Sequence, residues 1–227
     1  MKNLKYITFA ICSLFLLSAC DKDTEGVSSL LHFELNGDET MLVTLNTSYE
    51  EPGFKITLDG ADVSESVEIV QDVNADRVGL YTVQYIYTNM DGVKTVKERT
   101  VIVNDPSVTL DMAGSYVTAT GTQRDYNGIT AFQGQKITVN KIAPGFFSIS
   151  DFLGGWYAQR AGYGAAYACS GYVQLQNNGT FELLSSSLLP WADTIDGITE
   201  GKYDAASGQV SWKTSYAGMA FTIVLNK

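Results

Sequence analysis

Residues 79–88 read Gly-Leu-Tyr-Thr-Val-Gln-Tyr-Ile-Tyr-Thr, which puts Tyr81, Val83, Tyr85 and Tyr87 at every second position. A period of two places all four side chains on one face of a strand and cannot line up one face of a helix. The same alternation returns near the C-terminus in Val210, Trp212, Thr214 and Tyr216. Helical periodicity is almost absent after residue 20. β-Branched and aromatic segments recur instead, separated by Gly, Asn and Asp turns, so the chain is expected to be all-β.

The segments divide into two modules. In residues 30–104, strands are expected at 30–36, 41–45, 54–58, 63–70, 79–88 and 93–103, with a tight turn at Asn89-Met90-Asp91-Gly92. That density suits a small β-sandwich. Asn104-Asp105-Pro106-Ser107 reads as a linker, because Pro106 has no N–H for a ladder and biases Asp105 towards extended geometry. In residues 108–227, strands are expected at 113–122, 135–142, 146–150, 171–176, 180–185, 201–204, 209–216 and 219–225. Asn178-Gly179 and Ser207-Gly208 supply hairpin turns. Consecutive hairpins predict an antiparallel meander that closes into a barrel or a sandwich.

The N-terminus carries an address. Lys2 and Lys5 precede an apolar run from Ile7 to Leu17, and small residues follow. That order is the pattern of a signal peptide, here residues 1–19. The run is too short to span a bilayer, which takes roughly 20 apolar residues. Leu17-Ser18-Ala19-Cys20 resembles the lipobox of bacterial lipoproteins. The resemblance implies cleavage before Cys20 and acylation of its thiol, so the protein's first partner is the membrane, reached through a lipid anchor. Residues 20–29 are small and polar and read as a flexible tether. Their start, Asp21-Lys22-Asp23-Thr24-Glu25, resembles the surface-export signal of Bacteroidetes lipoproteins, which implies an outer-membrane protein facing the medium rather than the periplasm.

Cleavage would also remove Cys12. With Cys20 acylated, Cys169 stands alone and no intrachain disulfide can form. The fold must then rest on core burial, and Cys169 reads as a buried structural thiol. Without Lys2 and Lys5, 13 basic side chains face 25 acidic ones. Such a balance repels nucleic acid, so no nucleic-acid partner is expected.

Glu51-Pro52-Gly53-Phe54, Gly79-Leu80-Tyr81-Thr82-Val83-Gln84-Tyr85 and Thr100-Val101-Ile102-Val103 resemble the immunoglobulin-like repeat of Bacteroidetes surface lipoproteins. The resemblance implies a sandwich that lifts a C-terminal domain off the membrane. It also implies a role for Tyr81 as a tyrosine corner, its hydroxyl bonding nearby backbone. Met112-Ala113-Gly114-Ser115-Tyr116 and the closing hairpin resemble lipocalin-like lipoprotein domains. The whole order resembles lipoproteins of gut Bacteroidetes glycan loci, and implies a carbohydrate-binding accessory of a nutrient-uptake system, with an outer-membrane transporter as a partner. The alternatives are a structural or protein-interaction lipoprotein without a small ligand, and a small glycoside hydrolase.

All three tryptophans fall in the second module, in two loops and one strand. The loop 154–167 is rich in Gly and aromatics and holds Trp156, Tyr157, Arg160 and Tyr163. The loop 189–196 holds Trp191 and Asp193. Flat rings offer faces to sugar C–H groups, while Arg and Asp direct hydrogen bonds. These six residues are the candidate ligand-binding set. The competing reading is that such rings fill an irregular core, with Gly allowing close packing. Trp212 lies in a regular alternating strand and is expected in the core.

Catalytic signals are sparse. His32 is the only histidine and lies near the tether, so no Ser-His-Asp or Cys-His unit is available to the second module. Asp151, Glu182, Asp193, Asp196 and Glu200 are the acids from which a glycosidase pair would be drawn. No enzyme activity and no cofactor are expected. Asp72-Val73-Asn74-Ala75-Asp76 resembles the start of a calcium loop but lacks its Gly and its closing Glu. Asp193-Thr194-Ile195 resembles the short O-glycosylation site of exported Bacteroidetes proteins.

Overall fold

The structure is a computed structural model and describes residues 30–227. Cys20, the signal segment and the tether lie outside the described residues.

The first module has seven strands: β1 (Leu31–Leu35), β2 (Thr40–Thr44), β3 (Phe54–Leu58), β4 (Ala61–Asp62), β5 (Val67–Val70), β6 (Gly79–Thr88) and β7 (Lys94–Asn104). One sheet runs β1-β3-β4 and the other β2-β7-β6-β5. Pairing is antiparallel except for β2 beside β7, which is parallel. The alternation of β6 does what its period demands: Val83, Tyr85 and Tyr87 are buried with Phe33, Ile56, Val101 and Val103 between the sheets. Tyr81 donates its hydroxyl to the Arg77 carbonyl at 2.8 Å, the corner contact implied by the resemblance. The expected strand 63–70 is shorter than read, because Ser64–Ser66 forms a 3-10 turn ahead of β5. Asp62 accepts the Ser64 N–H at 2.8 Å and sets that turn.

The second module is one ten-stranded antiparallel sheet curled into a half-barrel. Its strands are β8 (Gly114–Thr118), β9 (Gln123–Asp125), β10 (Ile129–Ala131), β11 (Lys136–Ala143), β12 (Phe146–Ile149), β13 (Ser170–Leu175), β14 (Phe181–Ser187), β15 (Ile198–Asp204), β16 (Gln209–Tyr216) and β17 (Met219–Asn226). The order is β10-β9-β17-β8-β11-β12-β13-β14, with β16 also on β17 and β15 on β16. Thr180, just ahead of β14, forms an isolated bridge with Lys202 of β15. The inner face is one continuous core that holds Trp212, Tyr116, Phe147, Phe152, Phe221 and Ile223. Trp212 is 1% exposed and donates its indole N–H to the Phe152 carbonyl at 2.9 Å. Cys169 is fully buried, as its setting suggested. Tyr116 repeats the corner device in this module, donating to the Met112 carbonyl at 2.6 Å.

Where the modules meet, Leu80 and Ile102 pack on Ala143, Phe146, Tyr172 and Leu184. Two connections escape the regular sheet. The segment between β12 and β13 holds a π-helical turn, Trp156–Arg160, and a 3-10 turn, Ala165–Tyr167. The segment between β14 and β15 holds the 3-10 turn Leu189–Trp191.

Candidate functional site: an aromatic patch

The π-helical turn is built by its neighbours. Gly155 enters it at φ +76, a conformation that L side chains rarely adopt, and a Cβ there would lie 2.8 Å from the Gln135 Cβ. Its carbonyl accepts both the Gln159 and Arg160 N–H groups, at 3.0 and 2.9 Å. Gln159 then clamps the turn to the start of β11. Its side-chain oxygen accepts the Lys136 N–H and its amide donates to the Lys136 carbonyl, both at 2.8 Å. Gln159 therefore holds the loop in place. A π turn is rare and widens the helix by one residue, which changes where successive side chains point. Here Trp156 turns into the core while Tyr157 turns towards the second loop.

That loop is fixed as firmly. Leu188 and Ile195 are buried at its two ends. Leu188 N–H donates to the Asp193 carbonyl at 2.8 Å, and Ile195 N–H donates to Ser186 Oγ at 3.2 Å. Between them Trp191 is lifted onto Tyr157.

The result is a five-ring patch. Trp191 touches four tyrosines: Tyr157 at 5.0 Å between ring centroids, Tyr167 at 5.1 Å, Tyr216 at 6.3 Å and Tyr163 at 6.4 Å. Tyr157 also stacks on Tyr163 at 6.0 Å and meets Tyr216 edge-on at 6.1 Å. Trp191 is 41% exposed and Tyr163 55% exposed, so two rings of the patch present faces to solvent. Tyr157 and Tyr167 are half-buried and Tyr216 is buried beneath them. Burial pushes the Tyr216 hydroxyl up to about 12, and the Asp193 carboxylate adds to the shift. Burial also raises Tyr157 against the opposing charge of Arg124. Both phenols stay protonated at neutral pH and are available as donors.

The six candidate residues divide. Tyr157, Tyr163 and Trp191 come together, with Asp193 exposed beside them. Trp156 requires a correction. It is only 7% exposed and packs on Phe132 at 5.0 Å and Phe221 at 6.3 Å, so it is core and cannot stack on a sugar. Arg160 is exposed but lies over the Trp156 ring at 4.4 Å. Tyr167 and Tyr216 were not among the candidates. Tyr167 sits in the same Gly-rich loop and could have been included on that ground. Tyr216 belongs to the inward face of β16 and gave no sign that its strand end reaches the patch.

Two concavities lie elsewhere. One of about 730 Å³ is lined by Asn46–Tyr49 and residues 71–76 of the first module. Another of about 470 Å³ is lined by serines of β12, β13 and β14, with Tyr172. The calcium-like stretch is an ordinary Asx turn, with the Asp76 N–H donated to Asn74 at 3.0 Å. Among the described residues no three His, Cys, Asp or Glu side chains gather to hold a metal.

The comparisons with known proteins agree with this architecture. A model of the bacterial surface protein Ig-like domain matches residues 33–103, and a family model for a C-terminal domain matches residues 105–227. The chain is 36% identical to the lipoprotein BT2262 from Bacteroides thetaiotaomicron, over 87% of this chain and 100% of that one, with a TM-score of 0.51. The chain belongs to the BT2262 family. It is a surface lipoprotein of the BT2262 type, with an Ig-like module ahead of the half-barrel. No curated protein matches it.

Proposed function

We propose that this lipoprotein binds carbohydrate at the cell surface, as an accessory of a nutrient-uptake system beside an outer-membrane transporter. Cys20 would tether it to the outer membrane, with the Ig-like module as spacer. The observation that carries the reading is the Trp191 patch. Two exposed rings stand on three more, held by loops that are pinned at both ends. Aromatic rings held in place lose little conformational freedom on binding, and tyrosine hydroxyls at their edges supply directed hydrogen bonds. An open patch suits a polysaccharide lying across it better than a small molecule enclosed in a pocket.

The reading is of a binder and not of a hydrolase. Of the candidate acids, Asp151 is 2% exposed, Asp196 bonds Ser215 Oγ at 2.7 Å, and Glu200 pairs with Lys213 at 2.7 Å. Asp151 is thus buried in the core, and Asp196 and Glu200 are held in surface contacts.

Affinity electrophoresis in gels containing different polysaccharides tests the proposal. At least one polymer should retard the protein, and Trp191→Ala should weaken that retardation about tenfold, or about 1.4 kcal/mol. Leu42→Ala, at an exposed site in the first module, should leave it unchanged. If a broad panel retards the protein nowhere, the proposal fails and the patch is better read as a protein-interaction surface.

A further inference from the structure

The first module carries a concavity that a spacer does not need. It lies at the end of the sandwich where the chain leaves for the second module. There β2 ends with Thr44 opposite Asn104, and β6 begins with Gly79 opposite Val103. Its walls are the connection after β2 and the connection between β5 and β6, and they enclose about 730 Å³. Small-molecule sites commonly measure roughly 300–1,000 Å³.

The two walls are tied to each other. Asn46 N–H donates across them to the Ala75 carbonyl at 2.8 Å, and Leu45 N–H donates to the Asn104 carbonyl at 2.8 Å. Asn74 closes its own turn. Its side-chain oxygen accepts the Asp76 N–H at 3.0 Å and its carbonyl accepts the Arg77 N–H at 3.2 Å. Tyr49, Val73 and Ala75 are half-buried and pack on the module's core, which gives the concavity an apolar base. A site held open by backbone hydrogen bonds needs little ordering when a ligand arrives. The rim is polar: Asn46, Ser48, Gln71, Asp72 and Asp76 are exposed and line the same space. Thr47, Asn74 and Tyr49 supply the side-chain hydrogen bonds that build the walls, which leaves the rim groups to a ligand.

We propose that this concavity is a second carbohydrate site, taking a short stretch of neutral sugar, so that the Ig-like module binds as well as lifts. Amides both donate and accept, and carboxylates accept from two hydroxyls at once, which suits the neighbouring hydroxyl groups of a sugar ring. An apolar ligand would leave these rim groups without partners. An anion would meet Asp72 and Asp76 on a chain with 25 acidic against 15 basic side chains. The inference rests on the glycan reading above for its ligand class and adds a site to it.

The test is isothermal titration calorimetry of the full chain carrying Trp191→Ala, which disables the aromatic patch. The probes are maltohexaose, cellohexaose, xylohexaose and mannohexaose. At least one of them should still bind. Adding Gln71→Ala and Asp72→Ala should weaken that residual binding about tenfold, the loss expected for two hydrogen-bonding side chains. Ser48→Trp, which fills the concavity, should abolish it. All three positions are exposed, so the fold should persist, and an unchanged melting curve verifies this. Residual binding indifferent to these changes overturns the inference, as does its loss in Trp191→Ala alone. In either case the patch reading stands. If the wild type binds none of the four, the inference falls. If no polysaccharide retards the wild type in gels either, the glycan reading falls with it.

Discussion

Replacing Arg99 with Met should lower stability by about 3–5 kcal/mol, the range for breaking a buried ion pair by removing one partner. Arg99 is 0% exposed on β7, in the core of the Ig-like module. Its Nε lies 3.2 Å from Glu51 Oε1. Its Nη2 donates to the Asn36 and Gly53 carbonyls at 2.7 and 3.2 Å, and its Nη1 donates to the Asp38 carbonyl. One side chain thus gathers the β1–β2 connection and the turn before β3. Methionine fills comparable volume but leaves the part-buried Glu51 carboxylate without its cation and the Asn36 and Asp38 carbonyls without their guanidinium donor. Burial alone would raise the Glu51 carboxyl. Hydrogen bonds from Tyr49, Tyr85 and the Gly53 N–H, with the Arg99 charge, outweigh it and hold Glu51 below the usual range. The stability Glu51 contributes is therefore present above its unfolded pKa and is lost as pH falls through the folded value. Urea unfolding at neutral pH measures the Arg99 effect. A loss under about 1 kcal/mol would show that the network contributes little to stability.

The second large effect concerns Asp151, which sits in the half-barrel core beside Cys169. Burial pushes its carboxyl up to about 7, against backbone N–H groups of Leu153, Cys169 and Gly155 that favour the anion. Its Oδ2 has no hydrogen-bond partner. The same burial, with Asp151 nearby, lifts the Cys169 thiol to about 12, so that thiol is inert at neutral pH. The sign follows from proton counts. Between the unfolded value near 3.8 and the folded value near 7, the folded state binds more protons than the unfolded one. Stability falls as pH rises through that window, by on the order of 4 kcal/mol in total, and is restored on acidification. Asp151→Asn keeps an oxygen for the Leu153 N–H and removes the titration. Relative to wild type, the variant should gain on the order of 4 kcal/mol between pH 4 and pH 8. Unfolding followed by tryptophan fluorescence reads the second module alone, since all three tryptophans lie there. Stability curves that run parallel across this range would contradict the account.

Much of the fold was legible because period-two alternation is a local property. The β6 and β16 strands have the bounds their patterns predict, and Gly179 and Gly208 adopt the positive φ their turns require. Strand β10 was missed because it has three residues and is ordered only by pairing with β9. Arg99 gave no sign of its role. It follows Lys97 and Glu98 in a charged stretch, while its partners in the β1–β2 connection and ahead of β3 lie 46 to 63 residues away. The site was half legible. Composition singled out the two loops, and the fold does bring Tyr157, Tyr163 and Trp191 together. The error over Trp156 has a simple cause: in a π turn neither period two nor 3.6 applies, so adjacent Trp156 and Tyr157 cannot be assigned to faces from the sequence. Tyr216 joins the patch only because β16 ends where the 189–196 loop crosses it.

The most direct test of the central claim uses Trp191 as its own reporter. Trp156 and Trp212 are buried at 7% and 1% exposure, so Trp191 is the tryptophan open to a quencher. Adding the polysaccharide that retards the protein should protect the fluorescence from acrylamide, with saturation at the affinity read by electrophoresis, and Trp191→Phe should abolish the protectable fraction. Quenching of Trp191 that is the same with and without a saturating polysaccharide would contradict the claim that the aromatic patch is where this lipoprotein binds.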